Sequence, residues 1–424
     1  MKILIRGAGF ENKGAEAMLR VAQRELGKRI PDASFYATVS PLEAPYAYRA
    51  GIVPLFYAPS PRMQMLRTIP FAPKVPEFLL AKKNPDFARA VKIHTKAAYE
   101  INAIGAVDAV LDVSGFSYSD SWGSGGFKYA WPWLEYCQLK NKPYIFLPQA
   151  WGPFEKVEVS QWAKKLCSAG PMIISRDDES SKYLAKLQGI SVGEVLQSPD
   201  IAFRFLGDPT SVGRSILDEF GLGVDRPVIG VVPNMRVYER SPGAGVGNHY
   251  IKLLVALVDY CISSLNVDVL LLPNEIKVPG NTGPDDRFLC SIVASQIQNP
   301  ARCHAVRDYF SAEAIKSVLG QLDLLIASRF HSLVFALGQG VPSVALGWSH
   351  KYQELLRPFK LGKFVVDHHR FDIGNVISLV GESWRERNNN KKNISIEVAG
   401  IKESIDYLFD NLSKYIEKFR NYKI

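Results

Sequence analysis

Short apolar runs alternate with helical patterns along most of the chain. The first run, "KILIRG", gives way to "GAEAMLRVAQRELGKRI", where Ala17, Leu19, Val21, Ala22 and Leu26 fit one broad helix face. "ASFYATV", "DAVLDVSG", "KPYIFLPQA" and "PMIISRD" follow as candidate strands, then a helix in "ESSKYLAKLQG" and a run in "VGEVLQSPDIAF". The second half repeats the plan. Strands are expected in "PVIGVVPN", "DVLLLPNE", "CHAV", "LDLLIAS", "PSVALG" and "KFVVD", with helices in "YIKLLVALVDYCISSL", "DRFLCSIVASQIQ" and "AEAIKSVLGQL" and after "LDLLIAS". Buried strands alternating with helices predict parallel βαβ units and an α/β fold. The architecture repeats without any internal sequence repeat.

The break between the two series falls in "FRFLGDPTSVGRSILDEFGLGVDRP", residues 203–227. It predicts an N-terminal Rossmann-like lobe over 1–205 and a second over 206–385. Residues 386–424 form a tail, in which the polar "RERNNNKKN" (385–393) reads as a linker before a last amphipathic helix. Two such halves predict lobes facing across a cleft, with a C-terminal helix. In open α/β sheets ligands gather outside the carboxyl ends of the strands.

That rule draws attention to "ASRFHSLVFALGQGVPSVAL", 327–346, where an apolar run ends abruptly in Ser328, Arg329, Phe330, His331 and Ser332. If the strand persists, Arg329 and His331 share a face. Ser328 or Ser332 is a candidate N-cap for the next helix, whose amides and dipole suit an anion. Arg offers a planar fork for a carboxylate or phosphate, and His moves a proton near neutral pH. The same residues also read as a local salt bridge and a capping histidine. The abrupt polar turn where ligands gather favours the first reading.

A similar turn, "MIISRDDES", ends a strand at Arg176, with Asp177 and Glu179 as ordinary capping acids. A cation there is electrostatically misplaced unless an anion joins it. "RGAGFENKGAEAML" (6–19) is glycine-rich but lacks the dinucleotide fingerprint, because its third glycine falls at Gly14 rather than at Asn12. "PNMRVYERSPGAGVGNHY" (233–250), carrying Arg236, Arg240 and His249, reads as a flexible loop. "PSPRMQMLRTIPFAPKVPEFLLAKK" (59–83) reads as an irregular insertion.

Composition narrows the function classes. The chain has 424 residues, 47% hydrophobic and 22% charged, as in ordinary globular proteins. No apolar run approaches the roughly 18 residues that span a bilayer. "MKILIRGAGF" is too short in its apolar core for a signal peptide, so a cytoplasmic protein is expected. Its five cysteines (137, 167, 261, 290 and 303) lack CxxC or metal-like spacing, and packing thiols are expected. A net charge of +9 suggests an anionic partner. The basic residues are dispersed and no nucleic-acid motif occurs, so nucleic acid is not expected. HExxH, Walker A and GxSxG are absent, leaving metal catalysis and serine hydrolysis without support.

Together, "GFENKGAEAML", "DVSGF", "PQAWGPF", "ISRDDES", "SPDIAF", "LLPNE" with "DDR", and "SRFHSLVFALGQGVPSVAL" make the chain resemble the polysaccharide pyruvyl transferase family. The resemblance implies a GT-B-like fold and transfer of pyruvate from phosphoenolpyruvate to a sugar as a ketal. The donor is a substrate, with no further cofactor. By resemblance, Arg329, His331 and Arg176 match donor-binding and catalytic positions. Substrate-binding positions are expected at Ser328, Phe330, Ser332, Asn12, Gly14, Glu16, Gly115, Gln149, Arg236 and Asn274. Gly14-Ala15-Glu16 departs from the family's Gly-Asp-Glu and Ser114-Gly115 from its glycine pair, which places the departures in the half where the acceptor is expected. The acceptor that the resemblance implies is a sugar or a lipid-linked saccharide. The basic ending "KYIEKFRNYKI" permits loose association with an anionic membrane, at the inner face.

Two rivals remain open at this point. A GT-B glycosyltransferase using a nucleotide-sugar would share the lobes, although "GWSHKYQELL" offers only Glu354 for a ribose. A non-enzymatic glycan-binding relative would keep the fold alone.

Overall fold

The computed structural model describes residues 1–56, 82–347, 349–367 and 372–420. The insertion expected over 59–83 falls almost wholly outside them, as do the last four residues of the basic ending. The chain divides into two compact units. The first comprises Met1–Phe10, Leu19–Asp200 and Asp406–Ile424; the second comprises Glu11–Met18 and Ile201–Ile405.

The first unit holds a parallel sheet of β1 (Lys2–Arg6), β2 (Ser34–Val39), β3 (Ile52–Phe56), β4 (Ala109–Asp112), β5 (Tyr144–Gln149), β6 (Met172–Ser175) and β7 (Leu196–Gln197). Their spatial order is β3-β2-β1-β4-β5-β6-β7. β4 and β5 are buried along their whole length. That is why they read as continuous apolar runs rather than alternating ones.

The second unit holds β8 (Val228–Val232), β9 (Asp268–Leu271), β10 (Cys303–Ala305), β11 (Leu324–Ala327), β12 (Ser343–Gly347) and β13 (Val365–Asp367), again parallel, in the order β10-β9-β8-β11-β12-β13. The strand order reverses between β1 and β4 in the first sheet and between β8 and β11 in the second. Such switch points are where open α/β sheets bind ligands. In the second sheet Ala327 stands opposite Val232, so the chain leaves β11 beside the turn that follows β8.

Two expectations are corrected. The stretch 385–393 is no linker but the middle of one helix, Ile373–Lys418. Val376, Val380, Ser383, Asn390, Ile394, Val398, Ile405, Phe409, Leu412 and Ile416 are buried along it. These intervals of three, four and seven keep one face covered, and no proline interrupts them. The helix begins in the second unit, and its last part belongs to the first, where Arg29 Nε lies 2.6 Å from Asp410 Oδ1. Nor is 233–250 a free loop. It contains helix Met235–Arg240, and Asn248 Nδ2 donates to the carbonyls of Tyr238, Ser241 and Gly243 at 3.0–3.2 Å. No described helix is long and apolar enough to cross a membrane.

Candidate functional site

The polar turn after β11 lies at the second unit's switch point. Ser328 N still pairs with Val232 O at 2.9 Å, and the helix Phe330–Leu337 then begins at once, with Arg329 as its N-cap residue. The strand has therefore ended before Arg329, and strand alternation does not set the directions of Arg329 and His331. Neither serine caps the helix. Ser328 Oγ accepts from Tyr250 Oη at 2.7 Å, while the Ser328 carbonyl accepts from Asn234 Nδ2 and Tyr352 Oη. Ser332 Oγ accepts from Asn274 Nδ2 at 2.9 Å. All four of these partners are buried, so Ser328, Ser332 and Asn274 tie the turn to the scaffold.

Arg329 faces two carboxylates. Its Nη2 lies 2.6 Å from Asp286 Oδ1 and its Nη1 2.9 Å from Glu275 Oε2. Asp286 is fully buried and also accepts from the backbone amides of Met235, Asn274 and Glu275. Burial works against the Arg329 charge, but Asp286 and Glu275 outweigh it and hold the guanidinium above its ordinary value. Burial likewise pushes the Glu275 carboxyl up, and Arg329 and Lys277 overcome this and hold it below the usual range. Arg329, expected at a donor-binding position, thus has its charge matched within the protein by Asp286 and Glu275. Among the described residues, its Nε alone has no partner.

His331 lies in the first turn of the helix, partly exposed, its ring edge-on to Phe330 at 5.3 Å. Its neighbour from afar is Gly14. A side-chain carbon at Gly14 would overlap the Cβ, Cγ and Nδ1 atoms of His331. Asn12 pairs with Glu275 as an antiparallel bridge, and Asn12 Oδ1 accepts from the amides of Gly14 and Ala15. Lys13 N donates to Asn274 O at 3.0 Å. The buried Lys13 Nζ reaches Glu16 Oε2 at 3.1 Å and Tyr309 Oη at 2.9 Å. Burial pushes the Lys13 ammonium below its ordinary value, against the pull of Glu16. Asn12, Gly14 and Glu16, expected on the acceptor side, thus belong to the second unit together with His331.

Of the remaining expected positions, Arg236 belongs to the second unit, and Arg176, Gly115 and Gln149 belong to the first. Arg236 is exposed, with Nη1 3.0 Å from Glu239 Oε2. In the first unit, Arg176 follows β6 and meets the anion its position calls for, Asp200 Oδ2 at 2.7 Å. Like Arg329, it is already matched by a carboxylate. Asp177 caps the next helix by accepting from Ser180 N at 2.7 Å. Gly115 takes a positive φ of 71°, and its carbonyl accepts from Ala150 N. Gln149, at the end of β5, is fully buried, and neither end of its amide has a partner among the described residues. At the ends of β1 and β4, which flank this sheet's switch point, lies a buried network that the sequence reading passed over. Arg6 Nη1 donates to Tyr144 Oη at 2.6 Å, and Asp112 accepts from Ser114, Tyr118 and Tyr144.

With this geometry in place, the comparisons with known proteins decide the family. A family model described as polysaccharide pyruvyl transferase matches residues 12–350. The chain belongs to the polysaccharide pyruvyl transferase family. It is also 22% identical over 278 residues to the amylovoran biosynthesis protein AmsJ of Erwinia amylovora, a match covering 64% of each chain. The chain thus spans a little under two thirds of that relative. Two solved structures resemble it in fold alone. A glycosyltransferase from Rickettsia africae ESF-5 is 10% identical with a TM-score of 0.58, covering 100% of this chain and 99% of that one. The UDP-GlcNAc 2-epimerase from Neisseria meningitidis is 11% identical with a TM-score of 0.56, covering 99% of both. The fold is thus two parallel-sheet α/β units of the GT-B-like class, with a C-terminal helix.

The turn at 328–332 and the segment from Asn12 both lie inside the matched span. Sequence reasoning missed Asp286, Glu275, Lys13 and Tyr309 as partners. "LLPNE" and "DDR" hinted at the first two, but Asp286 stands 43 residues from Arg329, and nothing in either string names the arginine.

Proposed function

We propose that the chain transfers a pyruvyl group from phosphoenolpyruvate to two hydroxyls of a saccharide, forming a ketal. The observation that carries this reading is His331 in the first turn of a helix that starts at the sheet's switch point. A helix N-terminus favours a compact anion, and imidazole can deliver a proton beside it.

In the proposed reaction His331 protonates the methylene carbon of phosphoenolpyruvate, and the adjoining carbon becomes electrophilic. One sugar hydroxyl adds there, and a second displaces phosphate. Of the two hydroxyl protons released, one replaces the proton that His331 gave and the other leaves with phosphate as hydrogen phosphate. Atoms and charge balance without redox change, so no cofactor enters the scheme.

Arg329 acts here as a positioning residue. Asp286 and Glu275 fix its guanidinium, which fixes the turn carrying Phe330 and His331. The donor's charge is assigned to the amide end of helix Phe330–Leu337, since the cations Arg329, Lys277 and Lys13 are matched by Asp286, Glu275, Glu11 and Glu16. Calorimetric titration tests the donor. Saturable binding of phosphoenolpyruvate, with no response to uridine diphosphate, is expected. Binding of uridine diphosphate with silence towards phosphoenolpyruvate would move the reading to glycosyl transfer.

A further inference from the structure

The start of the first helix, Lys13–Arg29, belongs with the second unit, although the strand before it builds the first sheet. Three contacts hold it there: the Asn12–Glu275 bridge, Lys13 N on Asn274 O, and Lys13 Nζ on Tyr309. Two of them land on residues one step from the Arg329 cluster, for Glu275 pairs with Arg329 and Asn274 with Ser332. Between them Gly14 lies against the imidazole.

We propose that Gly14 is a positioning residue that sets the placement of the His331 ring. The overlap a Gly14 side chain would produce involves His331 Cβ as well as ring atoms. A small torsion of a flexible tip cannot relieve it, so the whole imidazole must swing or the segment must lift from Asn274. Backbone freedom is not the reason for glycine here, since Gly14 is not among the positive-φ glycines. The reason is space for the imidazole. The departure at Ala15 therefore sits in the segment that lies against His331. Its catalytic consequence rests on the proposed transfer, while the placement itself does not.

Nuclear magnetic resonance of the full chain tests the placement directly. The imidazole signal lost in His331→Gln identifies His331, and its titration is followed in the wild type, in Gly14→Ala and in Gly27→Ala. Gly27 lies on the same helix, and a side-chain carbon there meets only Phe35 at ordinary contact distance. Gly14→Ala is expected to move the His331 signals and their titration midpoint, and Gly27→Ala to leave both in place. In turnover, Gly14→Ala should lower kcat on the order of 10²-fold, as for a reacting group misplaced by about 1 Å, with little change in donor KM and a displaced pH limb.

Should Gly14→Ala fold poorly, the double variant Gly14→Ala/His331→Gly, which also removes the overlapping Cβ, should be no less stable than His331→Gly alone. Unmoved His331 signals, or a stability loss from Gly14→Ala that persists in the His331→Gly background, overturn the proposal. Absence of any wild-type turnover of phosphoenolpyruvate would instead count against the transfer reading, with the titration and stability results still standing.

Discussion

Arg329 and Asp286 form a buried pair, Nη2 to Oδ1 at 2.6 Å, in which the carboxylate also gathers three backbone amides from two separate turns. A single fully buried side chain thus joins the turns after β8 and β9 to the turn after β11. Removing one partner of such a pair leaves the other charge buried and unmatched. Asp286→Ala should destabilise the protein by about 3–5 kcal/mol in denaturant unfolding. A loss below about 1 kcal/mol would show that the turns are held by other means.

Glu275 carries a pH signature. Its carboxyl is held below the ordinary value of 4.5, so it favours the folded state above that pH. This contribution is lost as pH falls below about 4.5 through the depressed folded value. The difference in unfolding free energy between wild type and Glu275→Gln should therefore be largest near neutrality and shrink below about pH 4.5. A difference constant from pH 7 to pH 3 would contradict the assignment.

Gln149 should behave in the opposite way from a structural residue. A buried amide without partners costs about 1–3 kcal/mol, which an apolar side chain of similar size avoids. Gln149→Met should keep or raise the melting temperature. A clear fall would mean that the amide is bonded in solution.

The corrected helix Ile373–Lys418 makes a further prediction. Asn389 is exposed within it, and a linker would accept proline there without cost. In the helix, Asn389→Pro removes a hydrogen bond and clashes with the preceding turn, for about 3 kcal/mol or more. Unfolding of the variant by denaturant separates the two.

Much of the fold was legible because buried parallel strands leave contiguous apolar runs, as in "YIFLPQ" and "LLIA". β3 escaped notice because Pro54 interrupts its pattern. As the edge strand beside β2 it tolerates that proline. Helix Gly125–Leu139 escaped for similar reasons, opening on two glycines and carrying Pro132 inside. The polar run at 385–393 misled because only one of its residues, Asn390, is buried, and that residue is itself polar.

At the site, the location of Arg329 and His331 followed from strand ends alone. Their partners did not, because a guanidinium at a strand mouth looks the same whether an internal carboxylate or a ligand answers it. Gly14 was expected to touch substrate; the structure places it against His331, an arrangement set by contacts between segments distant in the chain.

In the proposed reaction His331 moves the proton that turns phosphoenolpyruvate into a pyruvyl donor. The most direct measurement is phosphate release from phosphoenolpyruvate in the presence of saccharide fractions, with the methyl signal of the ketal followed in parallel. Saccharide-dependent release matched one for one by ketal is expected, falling on the order of 10²–10⁴-fold in His331→Gln. Undiminished release in His331→Gln, with the ketal still formed, would contradict it.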